Sequence, residues 1–283
     1  MVRSHPVVGT DDGQGTSEEP PRDAPELPPA LVRGITVVHR LGIEAVRRYH
    51  RLEVTLPDGP LDDGPLLFVA NHGFGGIFDL NVFAAFAALD RLQLGRPVTA
   101  LTHQIAWTLG VGRLIEPLGA RPASKAIALE ALARGDHVLV FPGGDLDGGK
   151  SFIHRNKIVF GRRRGFARLA VEAGVPIVPI VTAGAGESLL VLSDGRRLAS
   201  ALHLNRTLRM NTLPVTVSLP WGVNVGGVGL LPHLPLPTKL RTAVLTTLPP
   251  EPDESVDRYG SRVQTAMQAT LDALTHGRRL VVG

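Results

Sequence analysis

The sequence predicts an α/β protein, a largely parallel central sheet flanked by helices. Three observations carry that expectation. Short apolar runs recur at Leu66–Ala70, His137–Phe141 and Pro176–Val181. They lack the polar–apolar alternation of a half-exposed strand, so they read as strands buried on both faces. Helical periodicity separates them, as in Ser124–Arg134, where Ala126, Ile127, Leu129, Ala131 and Leu132 form one stripe. Strands alternating with helices, with no internal repeat and no dividing linker, are the pattern of a parallel sheet covered on both sides.

The elements follow in order. Residues 1–28 are rich in Gly, Asp, Glu and Pro, lack an apolar signal segment and read as a disordered tail. Residues 29–283 are expected to form one domain. Ala30–Tyr49 is amphipathic, with Leu31, Ile35, Val38, Leu41, Ile43 and Val46 set against Arg33, Arg40, Arg47 and Arg48. Such a helix either packs on the core or lies on anionic lipid. Leu52–Leu56 alternates like an edge strand. Strand Leu66–Ala70 leads to helix Asp79–Leu89, then to a short strand at Val98–Leu101. Ile105–Leu118 is apolar and broken by glycine, with Trp107 inside it. Ser124 is the expected cap of helix Ser124–Arg134. Pro142-Gly143-Gly144 ends the strand His137–Phe141, and helix Gly165–Ala173 precedes strand Pro176–Val181. Leu213–Leu219 and Thr242–Thr247 are later strands, and Asp257–Leu274 is a closing amphipathic helix.

Composition narrows the function. The chain has no Cys, which excludes disulfides, thiolate catalysis and Cys-ligated zinc and fits a cytoplasmic setting. No apolar run of about 18 residues exists, so no transmembrane span is expected and membrane contact should be peripheral. A formal charge of +4 favours an anionic surface or a nucleotide-like co-substrate. The basic cluster is Arg162-Arg163-Arg164, with Arg155, Lys157 and Arg168 nearby. Only 5% of residues are aromatic, and none alternates with that cluster as a stacking platform would require, so no nucleic-acid partner is expected.

Asn71-His72-Gly73-Phe74-Gly75-Gly76-Ile77-Phe78-Asp79 is the most informative stretch. It places a His at a strand end and an Asp at a helix start, the layout of a general base with an orienting carboxylate. Gly144 to Ser151 matches the phosphate-loop pattern G-x-x-x-x-G-K-[ST]. Asp145 and Asp147 make it a poor anion cradle, however, and no clear helix follows to face phosphates. There is no G-x-S-x-G elbow, no H-E-x-x-H and no His pair at metal-ligand spacing, so neither a Ser hydrolase nor a metal site is expected.

Four blocks in order then resemble the glycerolipid acyltransferases. They are Asn71-His72…Asp79, Leu118-Gly119-Ala120-Arg121, Phe141-Pro142-Gly143-Gly144 and Val175-Pro176-Ile177-Val178-Pro179-Ile180, with Gly165–Ala170 fitting between the last two. The resemblance covers roughly residues 60–250 and implies the glycerol-phosphate acyltransferase-like fold. Two departures stand out. Six residues separate His72 from Asp79 where the family has four. On a continuous helix that is about 10 Å, too far for a hydrogen bond, so the Gly-rich loop is expected to fold back. Gly143 stands where many members carry Glu, a version resembling the branch related to mono- and diacylglycerol acyltransferases. The acceptor-binding carboxylate is then either missing or supplied elsewhere, with Asp145 or Asp147 as the expected substitute.

The resemblance implies acyl transfer from acyl-CoA, or acyl carrier protein, to a glycerolipid hydroxyl, with acyl-CoA as co-substrate and no other cofactor. His72 would be the base and Asp79 its orienting partner. Arg121 would contact an anionic group of the acceptor or of CoA, and backbone amides at Gly143-Gly144 would face the oxyanion. Arg155 and Lys157 either bind CoA phosphates or headgroups, or belong to a solvated basic loop. Phe74, Phe78, Phe83, Ile105 and Trp107 either line an acyl groove, dip into lipid or pack in the core. The expected site is cytoplasmic and peripheral to an anionic membrane. The alternative is an inactive lipid- or acyl-CoA-binding protein on the same fold.

Overall fold

The computed structural model describes residues 27–73, 79–108, 110–204, 212–226 and 233–283. The expected tail lies almost wholly outside them, as do Phe74, Gly75, Gly76, Phe78 and the side chain of Ile105.

Seven strands form the main sheet: β1 (Glu53–Thr55), β2 (Leu67–Ala70), β3 (Val98–Thr102), β4 (Ala120–Pro122), β5 (His137–Val140), β6 (Ile177–Ala183) and β10 (Arg241–Val244). Their order is β1-β10-β6-β2-β5-β3-β4. All neighbours are parallel except β10 and β6. The central strands β2, β5 and β6 are buried along their whole length, which explains why they read as unbroken apolar runs.

Alternate residues of those strands feed two cores. Leu67, Val69, Val138, Val140 and Ile177 pack with α5 (Lys125–Ala133), α7 (Gly165–Ala173) and α9 (Val256–Thr275). Leu66, Phe68, Ala70, Leu139 and Val178 pack on the other face with Ala85, Ala88 and Leu89 of α2 (Leu80–Leu92). Fully burying each Leu, Val or Phe contributes roughly 1.5–3 kcal/mol. Helix α1 (Pro29–Tyr49) lies outside α2, and its Ile43 and Val46 are buried. Phe83 fills that seam with its ring against His39, so it is a packing residue and not part of a groove. The Gly-broken stretch forms two single turns, α3 (Ile105–Thr108) and α4 (Gly112–Ile115), with the Trp107 ring packed on Gly112. Ser124 has the extended backbone of a cap but makes no side-chain cap bond. The expected cap therefore contributes no hydrogen bond to α5.

Two short segments depart from the expected run of parallel strands. After β6 come β7 (Leu190–Ser193) and α8 (Arg196–Ala201), then β8 (Val215–Ser218) and β9 (Gly222–Val225). Strands β7, β8 and β9 form a separate antiparallel sheet, so the expected strand Leu213–Leu219 belongs to it and not to the main sheet. The last expected strand is present but runs antiparallel to β6.

The C-terminal region is fastened by charge. Arg262 donates from Nε to Glu254 Oε1 at 2.9 Å and from Nη2 to Oε2 at 2.7 Å. The Arg262 hydrogen bonds are the main reason the Glu254 carboxyl is pushed from 4.5 down to about 2. A lowered folded-state pKa stabilises the fold above the unfolded value and loses that contribution as pH falls through the folded value. The melting temperature of the wild type should therefore fall more steeply than that of Glu254→Gln between pH 4.5 and about 2. Equal slopes in a thermal scan across that window would contradict this.

Candidate active site

The site is built where β2 leaves the sheet. Asn71 continues the β2–β6 ladder with its side chain: Nδ2 donates to the Thr182 carbonyl at 3.1 Å, and Oδ1 accepts the Thr182 N–H at 2.8 Å. Its own carbonyl accepts from Asn81 Nδ2 at 2.8 Å, which ties the strand end to the start of α2. Asp79 is the N-cap of that helix, with Oδ1 accepting the Asn81 N–H at 2.8 Å. Its other oxygen, Oδ2, accepts a hydrogen bond from His72 Nδ1. The two residues meet despite six intervening positions because α2 begins only after Asp79. Gly73 makes the turn possible by its size, since a Cβ there would lie 2.3 Å from Ala185 Cβ and 2.6 Å from Asn81 Oδ1.

The contact fixes the imidazole. A carboxylate can only accept, so Nδ1 carries the proton and Nε2 is left as the basic nitrogen. The Asp79 side chain is 4% exposed and His72 16%, so Asp79 is enclosed and the imidazole reaches the surface. Phe141, just past β5, lies with its ring centroid 4.8 Å from that of His72. Asn71, His72 and Phe141 thus gather at the carboxyl ends of adjacent parallel strands, where open α/β sheets place their ligand sites.

A second clamp holds the His72 backbone, and sequence reasoning missed it. Asp147 Oδ2 accepts the His72 N–H at 2.7 Å, while Lys150 Nζ donates to the His72 carbonyl at 3.0 Å. Lys150 Nζ also donates to Asp147 Oδ1 at 2.7 Å, and the same oxygen accepts the Val159 N–H at 3.0 Å. Asp147 is fully buried and Lys150 is 6% exposed. These residues belong to the segment that matches the phosphate-loop pattern. Its lysine is turned inward onto a carboxylate, so the segment braces His72 instead of cradling phosphate.

The same clamp explains Gly143. A Cβ at Gly143 would sit 2.2 Å from Asp147 Cβ, so Glu has no room there while Asp147 is in place. Neither expected substitute for that Glu is available. Asp147 is enclosed as described, and Asp145 is paired with Arg163 Nη2 at 2.7 Å. Pro142, Gly143 and the one-turn helix α6 (Gly144–Gly148) follow β5 directly. The Gly144 N–H donates to the Phe141 carbonyl at 3.2 Å.

The other expected site residues divide. Arg121 lies on β4, three strands from β2 in the sheet order, which is roughly 14 Å of lateral distance. Its Nη1 donates to the carbonyls of Ala120 at 2.7 Å and Glu116 at 3.0 Å, with the Glu116 carboxylate 3.8 Å away. Arg155 turns inward, donating to the Phe152 carbonyl at 2.9 Å with its guanidinium 4.3 Å over the Phe152 ring. Lys157 is exposed and lines a cleft of about 190 Å³ with Leu146, Lys150, His154, Val159 and Arg196. In the arginine cluster, Arg163 is committed to Asp145 and Arg162 is exposed. A larger cleft of about 620 Å³, lined by Leu56, Arg96 and His137, lies at the amino ends of the parallel strands, away from His72.

An acyltransferase family model matches residues 42–183, half of the chain, and spans His72, Asp79, Asp147 and Lys150. A human DGAT1/2-independent enzyme synthesizing storage lipids is 27% identical over 225 residues, 79% of this chain and 62% of the relative. An uncharacterised Mycobacterium leprae protein is 29% identical over 242 residues, covering 82% and 62%. The chain therefore spans about 62% of the length of these relatives. Phytyl ester synthase 1 of Arabidopsis thaliana is 27% identical over 150 residues, 52% of this chain and 21% of that protein. Among solved structures, the lysophosphatidate acyltransferase PlsC of Thermotoga maritima aligns with a TM-score of 0.49 at 17% identity, covering 87% and 82%. The chain belongs to the acyltransferase family.

Proposed function

We propose that the protein moves a fatty acyl group from acyl-CoA to a hydroxyl of a glycerolipid, with His72 as general base and Asp79 as its orienting partner. The observation that carries this is the hydrogen bond from His72 Nδ1 to Asp79 at the carboxyl edge of the sheet, which leaves Nε2 open. The acceptor hydroxyl gives its proton to Nε2 as its oxygen attacks the thioester carbonyl. Asp79 supports the imidazolium that forms. The tetrahedral intermediate collapses, the C–S bond breaks and the CoA thiolate recovers the proton from His72. The Gly143 N–H is the candidate oxyanion donor, since Gly144 is engaged. Lys157 and His154 at their cleft are candidates for the CoA phosphates, Arg196 there being paired with Asp194. Purified protein supplied with acyl-CoA and a panel of glycerolipid acceptors should release CoA and form the acylated product. Tight lipid or acyl-CoA binding without turnover would favour the inactive binding protein instead.

A neutral mono- or diacylglycerol is the favoured acceptor. Gly143 removes the carboxylate, Asp145 and Asp147 do not replace it, and Arg121 is occupied by Glu116 and Ala120. The storage-lipid synthesis for which the human relative is named agrees with this. In direct competition at equal concentration, the neutral glyceride should be used at least as well as lysophosphatidate. A strong preference for lysophosphatidate that disappears in Arg121→Ala would refute the assignment.

Membrane association is proposed on α1. One face of the helix packs on α2, and a second apolar strip stays open, with Val38 69%, Leu41 63% and Leu31 44% exposed. Arg33, Arg40 and Arg47 are also exposed. Among the described residues no helix is long and apolar enough to cross a membrane. Binding to anionic vesicles should weaken as salt rises, because exposed charges are screened beyond about 10 Å at 0.1 M. Co-sedimentation that ignores both salt and anionic lipid would contradict the electrostatic part.

A further inference from the structure

The three-stranded sheet is inside out. Directly opposed residues of an antiparallel pair share a face. The registers Leu190↔Val217↔Val223 and Val215↔Val225 therefore gather five aliphatic side chains on one side. That side is open: Val223 is 69%, Val225 54% and Leu190 38% exposed, and Leu192 at the β7 bulge is 54% exposed. The reverse side carries Val191, Thr216 and Ser218, all buried, with Thr216 at 0%. An antiparallel sheet with one solvated face distributes its residues the other way. The sequences of β7, β8 and β9 contain no charged residue. A contiguous open apolar patch of this kind marks an interaction surface.

Its surroundings select a lipid surface as the occupant. Trp221 stands at the β8–β9 turn, 50% exposed, beside Leu219 at 56%. An indole at the margin of an apolar face suits the headgroup level of a bilayer. The rim is basic. Helix α8, which follows β7, exposes Arg196 and Arg197, of which Arg196 is paired with Asp194 at 2.7 Å. Arginines at the edge of an uncharged patch complement anionic headgroups. The patch is also tied to the C-terminal end of α1, because Tyr49 Oη donates to the Pro235 carbonyl at 2.9 Å and Leu234 bridges to Leu219.

We infer that the outer face of β7–β9 inserts into the lipid interface as a second, apolar membrane contact beside α1. Strand β7 starts seven residues after β6 ends at the His72 edge of the main sheet. The inference rests on the proposed glycerolipid reaction for its use, while its binding step does not require turnover.

The test uses the full chain and phosphatidylcholine vesicles with brominated acyl chains, with and without phosphatidylglycerol. Tryptophan fluorescence should be quenched in the wild type, and the quenching should disappear in Trp221→Phe, where Trp107 remains. Val223→Asp with Val225→Asp should lower the partition coefficient about tenfold or more, and the milder pair Val223→Thr with Val225→Thr should lower it less. Circular dichroism of each variant reports the fold, and the Thr pair decides the matter if the Asp pair unfolds. Absent quenching at saturating vesicles, quenching that survives Trp221→Phe, or unchanged partitioning of a folded Thr pair would overturn the inference. So would a wild-type dimer in sedimentation that the folded variants dissociate, since the face would then bind protein. Full quenching without acyl transfer would sink the proposed reaction alone, and acyl transfer without quenching would sink this inference alone.

Discussion

His72→Ala should lower acyl transfer by about 10²–10⁴-fold, the usual cost of removing a general base. The fold should persist, because the imidazole contributes to neither apolar core, with a modest fall in melting temperature because the enclosed Asp79 loses a hydrogen-bond partner. Asp79→Asn separates two roles of one carboxylate. Asn caps helices about as well as Asp, so α2 should remain stable. The support for an imidazolium is lost, so turnover should still drop sharply. Product formation by mass spectrometry, read beside thermal unfolding, checks both variants. Near-wild-type turnover by folded His72→Ala would remove His72 from the mechanism.

Asp147→Ala should be the most damaging single change outside the reacting groups. It strands Lys150 as a buried cation and releases the N–H groups of His72 and Val159. Removing one member of a buried ion pair costs about 3–5 kcal/mol, a large part of the stability of an ordinary domain. Asp147→Asn keeps an acceptor oxygen and should cost less. The double change Asp147→Leu with Lys150→Met should recover stability, because no buried charge remains. It should not recover turnover, because the backbone of His72 is no longer held. Urea unfolding gives the stability order. A double variant with wild-type turnover would show that the clamp does not position the imidazole.

Much of the fold was legible in the sequence. Strands β2, β5 and β6 are buried on both faces and announce themselves as apolar runs, and α7 spans the expected Gly165–Ala173. The short elements were not legible. β4 is three residues long and β9 contains Gly and Asn, so neither has a pattern to read. At the site, His72 and Asp79 were visible because both close short-range features, a strand end and a helix cap. The Asp147–Lys150 clamp was hidden by distance, since 75 residues separate Asp147 from the N–H it accepts. Its local pattern also resembled a phosphate loop, and only the packing shows the lysine turned inward. The missing cap bond at Ser124 has a similar origin, because an extended backbone permits such a bond without requiring it.

The tight contact between Gly143 and Asp147 sets a rule for how such a chain can diverge. Two positions four apart crowd one space, because a Cβ at position 143 would lie 2.2 Å from Asp147 Cβ and 3.0 Å from the Val159 carbonyl oxygen. A lineage that acquires Glu at position 143 must first vacate position 147, and must then find another partner for Lys150. The intermediate steps are each unfavourable, so exchange between the two arrangements requires paired substitution. Variation at these sites should therefore be epistatic: Gly143→Glu is harmful alone, and tolerated better when Asp147→Gly and Lys150→Met accompany it.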